Sequence, residues 1–539
     1  MIEREVITGM VSKKDFKKLI SEKIIYNKDI LIYFLLAFSM LFNFIMIFHH
    51  ENWRDEAQAW LIAKELNPIE LFDVLSYEGH PCLWFLLLMP FAKLGFPYIT
   101  INIISFILVS AAAVIFVRYA PFNKITVAVI IISPMFVYFC AVFGRSYSLA
   151  AFLITLLAWQ YKKRYEHPFM YFAVLALLIQ THILIIGMAF AVCAVHFFEV
   201  LIYALKKKKS SESKNTLFNI NIPKNFLALI IPLCSALFLL YEFRDVTNAQ
   251  STMIDDKAFS IINFLKGIRS FFMMFFFADR LLTWFVLIIL AVFLFMSVRI
   301  LKSVRTAKYI FIGGMLFIVP VYINVYVYSV KQYHVVMILF TIFFLIWIMQ
   351  EELDSVKAYA QIEENQHKEI AYADICSVLI NAFSVIFLFC VMISYYGGII
   401  SDYRGSYSDS KNTAAFVETL PENSVIFESA EDSCNAVVAY LRKNKIINPF
   451  TDTGHLYCER NKNKISVLDY KQFLENVKKQ FPDTEYIYLL YGKGVHGSFS
   501  HMENVPDNLE IVYETQDKNT ENEQFIVYKI FLPERLKIK

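Results

Sequence analysis

The chain has 539 residues, of which 57% are hydrophobic and 17% aromatic, with 52 Phe; ordinary soluble domains are roughly 45–50% apolar. Together with a mean hydropathy of +0.49, this excludes a soluble globular protein and reads as a polytopic membrane protein. A net charge of only +3, with the basic residues in short runs between apolar segments, marks topology and not a nucleic-acid partner.

The lead up to residue 30 is polar and rich in lysine, and no small-residue cleavage site follows the apolar run that starts at Ile30, so no cleavable signal peptide is expected. A spanning helix needs about 20 mainly apolar residues. Candidate spans lie near 31–49, 98–118, 123–142, 146–161, 168–181, 182–205, 225–243, 281–298, 308–328, 334–350 and 374–396. Lys13, Lys14, Lys17 and Lys18 place the N-terminus in the cytoplasm. Arg118 with Lys124, Lys162 to Arg164, Lys206 to Lys209, Arg299 with Lys302 and Arg305, and the charged segment 351–373 supply the inner loops. Residues 81–96, PCLWFLLLMPFAKLGF, are apolar but short and carry Pro90 and Lys93. If they spanned, every later basic loop would fall outside, so they are expected as a re-entrant or interfacial helix on the outer face, and 262–278 as a second non-crossing stretch. The outer face then collects 50–97, the turn Gly144 to Ser146, Thr181 with His182, the loop 244–280, Ser329 to Tyr333, and everything after about 397.

From about 399 the character changes. Short β-type runs (SVIFES, ISVLDY, EYIYLLYG, LEIVYE, QFIVYKIF) alternate with helical patterns near 432–443 and 469–480, which predicts a small α/β domain. The predicted fold class is therefore mainly α: a cytoplasmic segment 1–30, a transmembrane helix bundle 31–398, and an extracytoplasmic α/β domain 399–539. Eight cysteines show no CxxC pair or zinc spacing and read mostly as small core residues. Cys434 and Cys458 both fall in the C-terminal domain and could form a disulfide in an oxidising compartment.

The first outer loop carries the chemistry. In HHENWRDEAQAW, Asp55 and Glu56 open an amphipathic helix whose apolar face is Ala59, Trp60, Ala63 and Leu66. The helix dipole favours carboxylates there, and Asp55 as an N-cap with Glu56 in the first turn needs no function. A second cluster, Tyr77-Glu78-Gly79-His80-Pro81, precedes the interfacial helix and offers a ligand or acid/base pair. Arg145, Lys331, His182 and His334 fall on the same face by charge bookkeeping, although each has a bland reading as a snorkelling, solvated or capping side chain.

An Asp-Glu pair after the first membrane helix and a Glu-x-His-Pro turn before an apolar helix resemble the GT-C superfamily of membrane glycosyltransferases. Among these, the chain is similar to the dolichyl-phosphate-mannose protein mannosyltransferases and the bacterial lipid A aminoarabinose transferase. The likeness covers roughly residues 30 to 350 in layout and rests on Asp55, Glu56, Glu78, His80, Pro81 and SPMFVYFCAVFGRSYSL, where Arg145 and Tyr147 match an Arg-x-Tyr at the outer membrane edge. The chain departs from the pattern at Gly79 and at Cys82, where a second proline is common, so the acceptor type does not transfer.

The resemblance implies transfer of a sugar from a polyprenyl-phosphate donor to an envelope acceptor at the outer face. Asp55 and Glu56 are then the catalytic candidates, with Asp55 as general base. Arg145, Tyr147, Lys331, His334 and His182 are candidates for the donor phosphate. Glu78 and His80 could hold a divalent metal ion or, through it, the phosphate. The sequence contains no P-loop, no Gly-rich βα turn and no DxD in an inner loop, which favours a lipid-linked donor over a nucleotide sugar. The rival classes are a transporter or flippase of an envelope lipid, for which charge at the midplane and two-half symmetry are wanting, and a catalytically dead scaffold.

Overall fold

Lipid offers no hydrogen-bond partners, so apolar runs crossing it must satisfy their backbone internally as helices. The computed structural model describes residues 29–209, 220–249, 260–274, 304–327, 330–360, 367–429, 431–449, 456–463, 470–493, 509–515 and 523–532. Among them, 7 helices are long and apolar enough to cross a membrane: Ile30–His49, Thr100–Tyr119, Ile183–Lys207, Ile222–Glu242, Ala307–Tyr326, Val335–Ala358 and Ile370–Arg404. The chain is a multi-pass membrane protein. The most apolar window of Val335–Ala358 is 89% buried, against 33% for Ile30–His49, so the former is the bundle's centre and the latter part of its lipid-facing rim. The expected span 281–298, the first 28 residues and all of ISVLDY but Tyr470 lie outside the described residues.

Three expected spans are shorter or broken. Tyr147–Gln160 has 14 residues and Pro168–Ile179 has 12. The 123–142 segment splits into Lys124–Ile131 and a π-type turn Met135–Phe139, within which Tyr138 leaves helical dihedrals. Pro134 starts that turn. Backbone carbonyls around the break are recovered by side chains of neighbouring helices: Asn43 Nδ2 donates to Phe136 O at 2.7 Å, Ser39 Oγ to Ile131 O at 3.3 Å, and Tyr396 OH to Ile132 O.

The loop after the first helix folds into three short helices. Arg54–Glu65 is closed by a capping box in which Trp53 is the N-cap and Glu56 reaches back to its backbone, so Asp55 lies in the first turn and is not the cap. Pro68–Glu78 starts on Asn67, whose Oδ1 accepts from Ile69 N and Glu70 N, and ends on Gly79 at φ 71°, a left-handed position that favours glycine. Leu83–Lys93, expected as a re-entrant or interfacial helix, is a helix of 11 residues that packs across Arg54–Glu65. Ala59, Trp60, Ala63 and Leu66 are buried, as the amphipathic pattern predicts. Of the second predicted non-crossing stretch, Ile261–Met274 is helical and packs on Val304–Tyr326.

The last long helix, His367–Arg404, runs beyond its expected end at 396 and delivers the chain to the α/β part. Among the described residues its strands are β1 (Ile426–Glu428), β2 (Ile446–Ile447), β3 (Tyr486–Lys493), β4 (Leu509–Glu514) and β5 (Gln524–Phe531), in the order β2-β1-β3-β5-β4. β1 is parallel to β2 and β3, while β5 is antiparallel to β3 and β4. The strand β2 was not anticipated; two residues are too few for a periodicity signal. Tyr470–Gln480 covers one face through Phe473, Leu474 and Val477 against Phe427, Ile487 and Leu489. Cys434 and Cys458 are buried thiols and not the halves of a disulfide, and Cys434 Sγ lies 3.5 Å from Leu490 O.

A candidate active site at one end of the bundle

Glu56 has no exposed surface, and both of its oxygens are occupied. Oε2 accepts from Trp53 N at 3.1 Å and meets His50 Nε2 at 3.2 Å; Oε1 accepts from Gly144 N and from Asn102 Nδ2 at 3.4 Å. One carboxylate thus joins the start of the Asp55 helix, the helix Thr100–Tyr119 and the turn before Arg145. Gly144 permits the approach: a Cβ there would lie 2.8 Å from Ile101. Asn102 also bonds Asn52 side chain to side chain at 2.9 Å and Val142 O at 2.8 Å.

On its other nitrogen, His50 Nδ1 sits 2.8 Å from Asp402 Oδ2, near the end of the last long helix. Burial pulls the His50 imidazole down, but the carboxylates of Asp402 and Glu56 outweigh it and push the ring up to about 10. Sequence reasoning missed His50 and Asp402. His50 was legible only as one of two histidines at a helix end, and Asp402 is 352 residues away.

Asp55 differs from its neighbour. Its side chain is 20% exposed, and Oδ2 lies 3.5 Å from Arg145 Nη2. Arg145 is buried; its Nη1 donates to the Asp55 carbonyl at 2.6 Å and its Nη2 to His80 Nε2 at 2.9 Å. Its guanidinium carbon stands 5.7 Å from the centre of the Tyr147 ring. Arginine only donates, so His80 Nε2 is the acceptor and the proton of the neutral ring is on Nδ1. Burial, and then the positive Arg145, hold His80 well below the usual histidine range.

Three imidazoles from three segments form a row here, with ring centres 5.2 Å apart for His80 and His182 and 5.4 Å apart for His182 and His334. Tyr147 lies 6.1 Å from His182 and 5.9 Å from His334. His182 Nδ1 accepts from Leu184 N at 3.2 Å, and His334 Nδ1 from Lys331 N at 2.9 Å, so each neutral ring presents its Nε2–H. The buried Nδ1 of His80 and Nε2 of His182 have no hydrogen-bond partner among the described residues. Asp55, His80, Arg145, Tyr147, His182 and His334 are therefore brought together. Lys331 contributes its backbone, while its side chain is exposed at the edge.

Glu78 points elsewhere. Its Oε1 accepts from Gln58 Nε2 at 2.8 Å, its Oε2 lies 3.7 Å from Arg460 Nε, and burial pushes it up to about 7 despite Arg460. Positive groups thus stand at both side chains proposed to bind a metal, and the outer nitrogen of His80 is already an acceptor for arginine; this pair does not fit a divalent ion. Among the described residues no three His, Cys, Asp or Glu side chains converge as a metal site. Gln58 does more than hold Glu78: it bonds Cys458 O and Cys458 N, each at 2.8 Å, and Asn435 Nδ2 at 3.1 Å. Arg54 N donates to Glu523 Oε1 at 3.2 Å and Asn52 N to Tyr440 OH at 2.8 Å. The C-terminal domain thereby clasps the helix that carries Asp55.

No protein-family model and no curated sequence matches the chain. Among solved structures it is similar to ArnT from Cupriavidus metallidurans in the apo state, with a TM-score of 0.50 and 10% identity, covering 92% of this chain and 97% of that one. The same protein bound to undecaprenyl phosphate gives a TM-score of 0.46 and 10% identity, over 92% and 98%. At this identity the likeness shows the fold: the chain adopts that of ArnT.

Proposed function

We propose that this chain, which shares the fold of ArnT, is a membrane glycosyltransferase that moves a sugar from a polyprenyl-phosphate donor to an envelope acceptor at the outer face of the membrane, with its N-terminus in the cytoplasm. The observation that carries this reading is the pairing of a partly exposed carboxylate, Asp55, with a buried guanidinium, Arg145, 3.5 Å apart at one end of the bundle. Glycosyl transfer needs both groups at one place: a base for the acceptor proton and a cation for the departing phosphate.

In the reaction, the acceptor hydroxyl attacks the anomeric carbon from the side opposite the phosphate. The new C–O bond forms as the anomeric carbon–phosphate bond breaks, with inversion. The acceptor proton passes to the Asp55 carboxylate, and the electron pair of the broken bond leaves on the polyprenyl phosphate, which Arg145 stabilises. The N–H groups of His80, His182 and His334 add neutral donors around that phosphate, and the exposed Lys331 sits at the entrance. Glu56 is saturated with protein partners, so its part is to hold Asp55 and Arg145 in register.

The test uses membranes supplied with radiolabelled polyprenyl-phosphate sugars. Asp55→Asn should abolish transfer while leaving expression and folding unchanged. Retained transfer would end the assignment of the base, and lipid translocation by this variant at the wild-type rate would point to a flippase.

A further inference from the structure

We propose that His50 is a positioning residue for this transfer: by bridging the carboxylates of Glu56 and Asp402 it fixes the turn that aims Asp55 and Arg145 at one another, and so governs the rate of transfer more than the affinity for donor. This rests on the assignment of Asp55 as the base. Both ring nitrogens face carboxylate oxygens, Nε2 at 3.2 Å from Glu56 and Nδ1 at 2.8 Å from Asp402, and all three side chains are fully buried. Ionised carboxylates only accept hydrogen bonds, and a neutral imidazole has a single N–H. Two such partners are satisfied together only by the doubly protonated ring.

Every element around the ring contributes to this arrangement. Glu51, in the same turn, adds a further acidic group nearby. Tyr138 OH donates to the same Asp402 oxygen that His50 uses. His49 Nε2 lies 3.1 Å from the Asp402 backbone carbonyl, and the rings of Phe143 and Tyr407 stand 4.8 Å and 4.7 Å from that of His50. The cation offsets the cost of burying Glu56 as an anion. Glu56 in turn holds Trp53 N, two residues before Asp55, and Gly144 N, one residue before Arg145. Loss of the cation would loosen both halves of the site at once.

The pH sign follows from the direction of the shift. His50 is raised from the ordinary histidine value to about 10, so the bridge persists through neutral pH and is lost as pH rises through about 10.

The test uses the full-length protein in lipid nanodiscs. Histidine-selective 15N NMR at pH 8, with His50 identified by the signal that disappears in His50→Gln, should show both ring nitrogens protonated. In the transfer assay His50→Gln should lower kcat by about 10²-fold, the scale of a small misplacement of a catalytic group, while the donor KM stays within about threefold. Asp402→Asn removes one partner and should draw the alkaline limb of kcat down by roughly 1–3 pH units; a purely structural role would lower the folded fraction without moving that limb. A singly protonated His50, or variants whose activity falls only with the folded fraction, would overturn the proposal. An inactive wild type with a doubly protonated His50 would sink the transfer reading, and this role for His50 with it, while leaving the bridge standing. An active wild type with a neutral His50 would do the reverse.

Discussion

The helix Tyr147–Gln160 has an arginine cluster just beyond each end, and the two are built differently. Past its C-terminal end, Arg164 donates to Glu199 Oε2 at 2.7 Å, Tyr165 OH at 2.7 Å and Tyr161 O at 2.9 Å, while its guanidinium lies 3.8 Å and 4.2 Å from the centres of the Tyr161 and Tyr165 rings. Lys308 closes the network on Glu199 at 3.3 Å and Glu352 at 3.4 Å. Before its N-terminal end, Arg145 meets one backbone carbonyl, one neutral histidine and a carboxylate 3.5 Å away, beside buried nitrogens of His80 and His182 that have no partner among the described residues. The helix between them, fourteen residues at about 1.5 Å each, is roughly 21 Å long. Buried charge by itself marks no site. The cluster past the C-terminal end is closed and ties helices together, whereas the other retains hydrogen-bonding capacity and a carboxylate that solvent can reach.

This contrast can be broken first at Asp55. Asp55→Asn should cut transfer by about 10³-fold or more with an unchanged unfolding temperature, read by the radiolabel assay beside a thermal melt. Arg145→Ala should lower kcat/KM for the lipid donor by about 10²-fold; an unchanged value removes Arg145 from the phosphate site. At the closed end, Arg164→Ala should cost about 3 kcal/mol of stability, seen as a lower melting temperature, while transfer per folded molecule stays at the wild-type level.

Gly144→Ala tests the shared scaffold. The added Cβ meets Ile101, and destabilisation of roughly 1–3 kcal/mol is expected, with a fall in kcat as Glu56 loses its grip on the turn. The smallest effect is at Glu78. Its carboxyl is raised from the ordinary value of 4.5 to about 7, so it contributes stability that is complete below about pH 4.5 and lost as pH rises through about 7. Glu78→Gln should flatten the melting temperature between those limits, and a profile parallel to wild type would contradict the shift.

Much of this was legible in the sequence because it depends on local pattern. Uninterrupted apolar runs require helices, the apolar run within 81–96 is short and folds as a helix of 11 residues, and the period-two runs of the C-terminal region match β3, β4 and β5. Basic-loop bookkeeping placed Asp55 and Arg145 on one face, and the two are in contact. Other features were hidden. Asp55 and Glu56 are adjacent and chemically alike, yet one is partly exposed and the other enclosed by four partners, because successive helix residues face in different directions. The broken 123–142 span depends on Ser39, Asn43 and Tyr396 from other helices.

Composition and hydrophobic period by themselves determined that this is a membrane-spanning bundle with an α/β appendage and an acidic pair at one surface, since the cost of unpaired backbone in lipid leaves no other solution. Which acid stays partly exposed and which is enclosed, that His50 bridges Glu56 to Asp402, and that Gln58 fastens the C-terminal domain to the helix carrying Asp55 were decided only by tertiary structure. Hydrogen bonds between residues hundreds of positions apart leave no periodic trace along the chain. They exist only once packing has removed the water that would otherwise satisfy each group alone.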